Sequence, residues 1–163
     1  MKLEIKTWEQ LSRKEINDIF SLRSEVFIVE QECLYQDVDG KDEKADHVLL
    51  VINNKLVGYT RVFNENIYFK EASFGRAVVK KTHRGEGYGH LLVKKSLEHL
   101  KTNKQSPIKI SAQSYLKDFY SSHGFLVKGK EYMEDGIPHY AMYYSRQNEI
   151  HIKGKFLILR ASF

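Results

Sequence analysis

The segment GRAVVKKTHRGEGYGHLLVKKSLEHL, residues 75–100, restricts the fold more than any other part of the chain. An apolar run, Ala77-Val78-Val79, gives way to a basic loop holding Gly85, Gly87 and Gly89, and an apolar-periodic helix follows. Strand, glycine turn and helix start in that order suit an anion. Glycines let backbone N–H groups approach a ligand without Cβ interference, and the helix N-terminus adds partial positive charge. A P-loop needs G-x-x-x-x-G-K-[ST], and no Lys-Ser/Thr pair follows Gly89 or His90. A dinucleotide fingerprint needs G-x-G-x-x-G in a parallel βαβ unit, but the spacing here is G-x-G-x-G after an antiparallel-looking meander. A third pattern takes in the arginine: Arg84-Gly85-Glu86-Gly87-Tyr88-Gly89 fits R-x-x-G-x-G. A plain glycine turn is the remaining alternative.

The rest of the chain predicts one mixed α+β domain without repeats or low-complexity segments. Alternation marks strands at 3–8, on both sides of Asn53-Asn54, and at 72–79, 108–113, 125–133 and 139–145. Ser12 with Glu15 makes a capping-box start for a helix carrying Ile16, Ile19, Phe20, Val26 and Phe27. Further helices are predicted over 88–103 and 114–124, the last closing at Gly124. At 163 residues the chain is the size of one domain, and a single cysteine, Cys33, excludes an internal disulfide and a thiolate metal cluster. No apolar run of signal-peptide or membrane-spanning length occurs, so a cytoplasmic protein with no membrane partner is expected.

A second segment, SAQSYLKDFYSSHGF, carries F-Y-x-x-x-G-F as Phe119, Tyr120, Gly124 and Phe125. Together with R-x-x-G-x-G it resembles the GNAT N-acetyltransferases. LRSEVFIVEQECLYQDVDGKD and EDGIPHYAM are similar to signatures of the ElaA-like branch, so the resemblance spans roughly residues 9–144. It implies an α+β acyl-CoA N-acyltransferase fold: a mixed, mostly antiparallel twisted central sheet flanked by helices. The GNAT domain would occupy residues 1–145, with 146–163 as an extension that could be an edge strand, a dimer arm or a foreign tail.

By resemblance, acetyl-CoA is the cosubstrate and no metal takes part. Backbone at Val78 and Val79 would hold the pantetheine arm and polarise the thioester carbonyl. Amides of Arg84, Gly85, Glu86, Gly87, Tyr88 and Gly89 would hold the pyrophosphate, and Gln113 would replace the family's usual asparagine. Lys80, Lys81, His83 and Arg84 bring positive charge, as phosphate contacts or as a solvated turn. Acyl transfer to an amine needs a neutral nucleophile, oxyanion stabilisation and a proton for the leaving thiolate. Tyr120 matches the family's general acid, the alternative being a core aromatic. His139 is the candidate base, because a neutral imidazole accepts a proton near pH 7; a packed strand-edge histidine is the alternative, and an acceptor of low pKa needs no base. Ser73 and Glu71 lie near the position of the glutamate found in some relatives and are not assigned.

Alternation puts Arg76 on the side of Phe74 and Val78. Ion pairs of Arg76 and Arg23, with Glu30 and Glu32 as partners, would then tie the N-terminal helices to the sheet. The acidic run Asp37, Asp39, Asp42, Glu43, Asp46 fails the EF-hand count and reads as a solvated loop or a guide for a cationic amine. The implied partners are a coenzyme A thioester and an amine acceptor, with a homodimer left open. The rival reading is a non-catalytic acyl-CoA sensor or scaffold. A formal charge of +5 does not select nucleic acid, because signs mix closely in KDEKAD and KGKEYMED.

Overall fold

The computed structural model describes residues 1–101 and 107–145, so the proposed extension at 146–163 lies outside the described residues. The chain divides into two compact units, Met1–Asn103 and Lys104–Phe163.

In the first unit, β1 (Lys2–Thr7), β2 (Asp46–Ile52), β3 (Lys55–Phe63) and β4 (Ala72–Val79) pair antiparallel in that order. Asn53 and Asn54 have φ of 49° and 59°, the left-handed pair that a two-residue hairpin turn requires. Helix α1 (Arg13–Arg23) starts at the expected capping box: Ser12 Oγ accepts from the Glu15 amide, and Glu15 Oε2 accepts from the Ser12 amide at 2.9 Å. The chain then widens into a π-helical segment, Ser24–Glu30, where apolar spacing had suggested one continuous helix. The wider turn keeps Val26 buried and Phe27 packed on the core. Leu11, Ile19, Leu22, Val26, Leu49, Tyr59 and Val78 form that core on one sheet face. Helix α2 (Tyr88–Lys101) buries Leu92, Val93, Leu97 and Leu100. It comes so close at Gly58 that a Cβ there would meet Leu92 Cδ1 at 3.0 Å.

The β3–β4 register jumps from Tyr59↔Val78 to Arg61↔Gly75, which puts one extra residue in β4. Arg76 sits at this bulge with φ of 52°. Alternation fails there, and Arg76 does not follow Phe74 and Val78.

In the second unit β8 (Ile137–Tyr144) is central. It pairs antiparallel with β5 (Ile108–Gln113) along one edge and with β6 (Phe125–Val127) and β7 (Tyr132–Glu134) along the other. The strand predicted over 125–133 is broken in two, with Gly129 at φ 94° in the break. Asp135 and Gly136, at φ 49° and 78°, close the β7–β8 hairpin. The helix predicted over 114–124 is shorter than expected: a 3₁₀ turn, Ser114–Leu116, leads into α3 (Lys117–Ser121), and the segment closes at Gly124 with φ 93°. Ile108, Ile110, Ala112, Phe125, Met142 and Tyr144 are buried on one face of this sheet. No helix among the described residues is long and apolar enough to cross a membrane.

Candidate functional site

The first unit carries the glycine loop. Gly85 and Gly87 have φ of 85° and 76°, and a Cβ built on either meets nothing within 4 Å. Their conformation excludes most side chains, and open space lies beside them. Among the described residues the amides of Gly85, Glu86 and Gly87 have no hydrogen-bond partner. The α2 ladder begins with Leu91 N–H donating to Gly87 O at 3.2 Å, so the amides of Tyr88 and Gly89 have no acceptor within the helix. The first turn of α2 contains no acid. Five consecutive donors thus collect where the helix dipole is positive, the arrangement that binds phosphate oxygens.

Arg84 is engaged otherwise. Its Nε donates to Val79 O at 2.9 Å, and its two Nη groups fork onto both oxygens of Glu30. Its own amide makes a long bond, 3.4 Å, to Lys81 O. Lys80 Nζ lies 3.0 Å from Glu25. Glu25 and Glu30 of the π-helical segment therefore neutralise two of the loop's four basic side chains. Glu30 had been expected to pair with Arg23 or Arg76 instead. Val78 is buried in the core, which leaves only its backbone for a ligand.

The acidic run is not a solvated loop. Asp37 and Asp42 are buried, and with Asp39 they face three arginines. Arg23, fully buried, donates to Asp37 Oδ2 at 2.9 Å, Asp42 Oδ1 at 2.6 Å and Asp37 O at 2.8 Å. Arg61 holds both Asp39 oxygens at 2.7 and 2.8 Å and reaches Asp42 at 3.1 Å. Arg76 donates to Asp37 Oδ1 at 2.8 Å, and the Tyr35 hydroxyl donates to the same oxygen at 2.9 Å. These aspartates replace Glu30 and Glu32 as the predicted partners, and Arg61 is a member that the sequence did not single out. Three positive charges meet three negative ones, which offsets the cost of burying them. Burial alone would raise the Asp39 carboxyl, but Arg61 outweighs it and holds that group well below the usual carboxylate range. No group of three or more His, Cys, Asp or Glu among the described residues is placed to hold a metal ion.

In the second unit Gln113 and His139 are direct cross-strand partners on β5 and β8. His139 is nearly buried, stacked on the Tyr132 ring with centroids 6.2 Å apart. Its Nδ1 lies 2.8 Å from Ile137 O. A carbonyl only accepts, so Nδ1 carries the hydrogen and the neutral ring keeps its lone pair on Nε2. Tyr115 Oη donates to Gln113 Oε1 at 2.6 Å. Tyr120 lies on the opposite, core face, edge-on to Phe125 with centroids 6.0 Å apart, and Phe125 is paired with Tyr144. Its burial pushes the phenol's pKa far up, with nearby Tyr115 adding to it, so it remains a protonated donor. His139 and Tyr120 thus occupy opposite faces of one sheet and have no direct proton path between them. The Ser114 hydroxyl, next to Gln113, is buried without a partner among the described residues.

A family profile described as an acetyltransferase (GNAT) domain matches residues 9–146, across both units. The chain is 38% identical to the protein ElaA of Escherichia coli over 136 residues, covering 82% of this chain and 89% of that one. The crystal structure of E. coli ElaA superimposes with a TM-score of 0.83 at 34% identity, covering 88% of this chain and 99% of that one. A crystal structure of an acyl-CoA N-acyltransferase from Pseudomonas aeruginosa gives a TM-score of 0.83 at 32% identity, covering 89% and 100%.

Proposed function

Since the chain belongs to the GNAT acetyltransferase family and is an acyltransferase of that fold, we propose that it moves an acetyl group from acetyl-CoA directly to a primary amine. The observation that carries the reading is the run of unpartnered amides from Gly85 to Gly89 beside open space. That run fits a pyrophosphate. A bound acetyl thioester supplies an acyl carbon that an amine can attack.

The chain's own residues do the rest. Amides of Gly85, Glu86, Gly87, Tyr88 and Gly89 hold phosphate oxygens. Arg84 contributes by fixing the loop to Val79 and Glu30 rather than by offering free charge. Backbone of Val78 and Val79 orients the arm and polarises the carbonyl. His139 Nε2 takes the proton from the attacking nitrogen, and Tyr120 Oη gives one to the departing sulfur.

A thiol-release assay with acetyl-CoA over a panel of primary amines tests this. Amine-dependent release of coenzyme A with a matching acetylated product is expected. Thiol release that no amine accelerates, in protein that binds acetyl-CoA, would contradict it.

A further inference from the structure

In the second unit, on the sheet face opposite the one that buries Ile110 and Met142, β5, β7 and β8 bring Ser111, Tyr132, Glu134 and His139 together. Ser111 Oγ lies 2.5 Å from Tyr132 Oη and donates to Glu134 Oε2 at 2.5 Å. Tyr132 stacks on His139, its direct partner in register. The hydroxyl bridge passes over β8 where Ser111 faces Ala141, a residue small enough to leave room. Glu134 is half-buried, and among the described residues it has no cationic partner. Asp37, Asp39 and Asp42, by contrast, are all ion-paired. A half-buried carboxylate held in one orientation by a hydroxyl, without a counter-charge, is a site for an external cation. Lys109 and Lys128 lie over the Tyr143 ring farther along β8, at 6.0 and 5.3 Å, away from Glu134.

We infer that Glu134 binds a second ammonium group of the acceptor, making the substrate class a diamine or polyamine rather than a simple monoamine. The inference rests on the acetyl-transfer reading for the role of His139. Glu134 pairs with Ile137 and His139 with Tyr132, so Glu134 and His139 are diagonal neighbours, their Cα atoms about 7–8 Å apart. A short alkyl chain spans that gap, with one nitrogen at His139 Nε2 and the other at the carboxylate. The Tyr132 ring, stacked on His139 two residues before Glu134, offers an apolar, electron-rich surface to the chain and its cation.

The test is calorimetric titration of the full chain with α,ω-diaminopentane and with n-pentylamine, in wild type and in Glu134→Gln. Wild type is expected to bind the diamine at least about tenfold more tightly, the size of one charged hydrogen bond. Glu134→Gln should abolish the preference. Equal affinity or no binding of either amine in wild type, or a preference that survives in Glu134→Gln, overturns the inference. If Glu134→Gln does not fold, Ser111→Ala serves instead. It frees the carboxylate and should reduce the preference, and an undiminished preference overturns the inference. A separate titration with acetyl-CoA tells the two readings apart. Cofactor binding without diamine preference sinks the diamine site alone. Diamine preference without cofactor binding upholds the site and sinks the acetyl-transfer reading.

Discussion

Tyr120 fills a core position against Phe125 and holds a proton that burial makes hard to lose. Removing only its hydroxyl therefore separates packing from chemistry. Tyr120→Phe should lower turnover at saturating acetyl-CoA by about 10²–10⁴-fold, the usual worth of a positioned acid, while the ring keeps its packing and cofactor affinity stays near wild type. Steady-state kinetics beside a cofactor titration check this, and unchanged turnover would refute the role. The motif F-Y-x-x-x-G-F picked the residue from the sequence, since Gly124 fixes where the helix must stop. The sequence left open whether Tyr120 was acid or core because burial depends on Phe125 and Tyr144, which only folding brings near. His139 is similar: its residue type suggested a base, but the available nitrogen follows from Ile137 O.

Among the elements, the acidic segment between α1 and β2 departs most from expectation. Its alternating aspartates look solvated in the sequence because their partners, Arg23, Arg61 and Arg76, come from three other elements. Arg61 was hidden by its strand, where one charge among apolar residues carries no periodic signal. Arg76 was misplaced because a bulge leaves no mark in simple alternation. Removing one member of a buried charge cluster is costlier than its net contribution, because it strands the others. Arg61→Met should lower unfolding free energy by about 3–5 kcal/mol, since Asp39 loses its main counter-charge and Asp42 one of two. Chemical denaturation measures it, and a loss below about 1 kcal/mol would mean that the cluster relaxes or hydrates freely. Hairpin turns at Asn53-Asn54, the capping box at Ser12 and the strand–loop–helix around Gly85 were readable because each is set by neighbours in sequence.

Across the molecule, acid sensitivity should come from His47. Burial lowers its pKa from an ordinary 6.5; Tyr59 Oη lies 2.7 Å from Nδ1, and Asp42 O lies 3.1 Å from Nε2. The unfolded chain therefore takes up this proton first. Stability present above pH 6.5 is lost as pH falls from there toward the folded value. Thermal melts between about pH 7.5 and 5.5 should show a decline that His47→Gln flattens, and an identical slope in that variant would assign the sensitivity elsewhere. The family profile spans both units, and the glycine loop lies wholly in the first. In the proposed function this loop holds acetyl-CoA. Calorimetric titration with acetyl-CoA of wild type, Gly87→Ala and Gly129→Ala tests it most directly. Gly87 and Gly129 both have positive φ and open surroundings, so both variants carry similar backbone strain, and only the first places a methyl group in the loop. Saturable binding to wild type and Gly129→Ala is expected, with affinity at least about tenfold weaker in folded Gly87→Ala, as when a phosphate contact is lost. No binding to folded wild type, or equal affinity in all three, would contradict it.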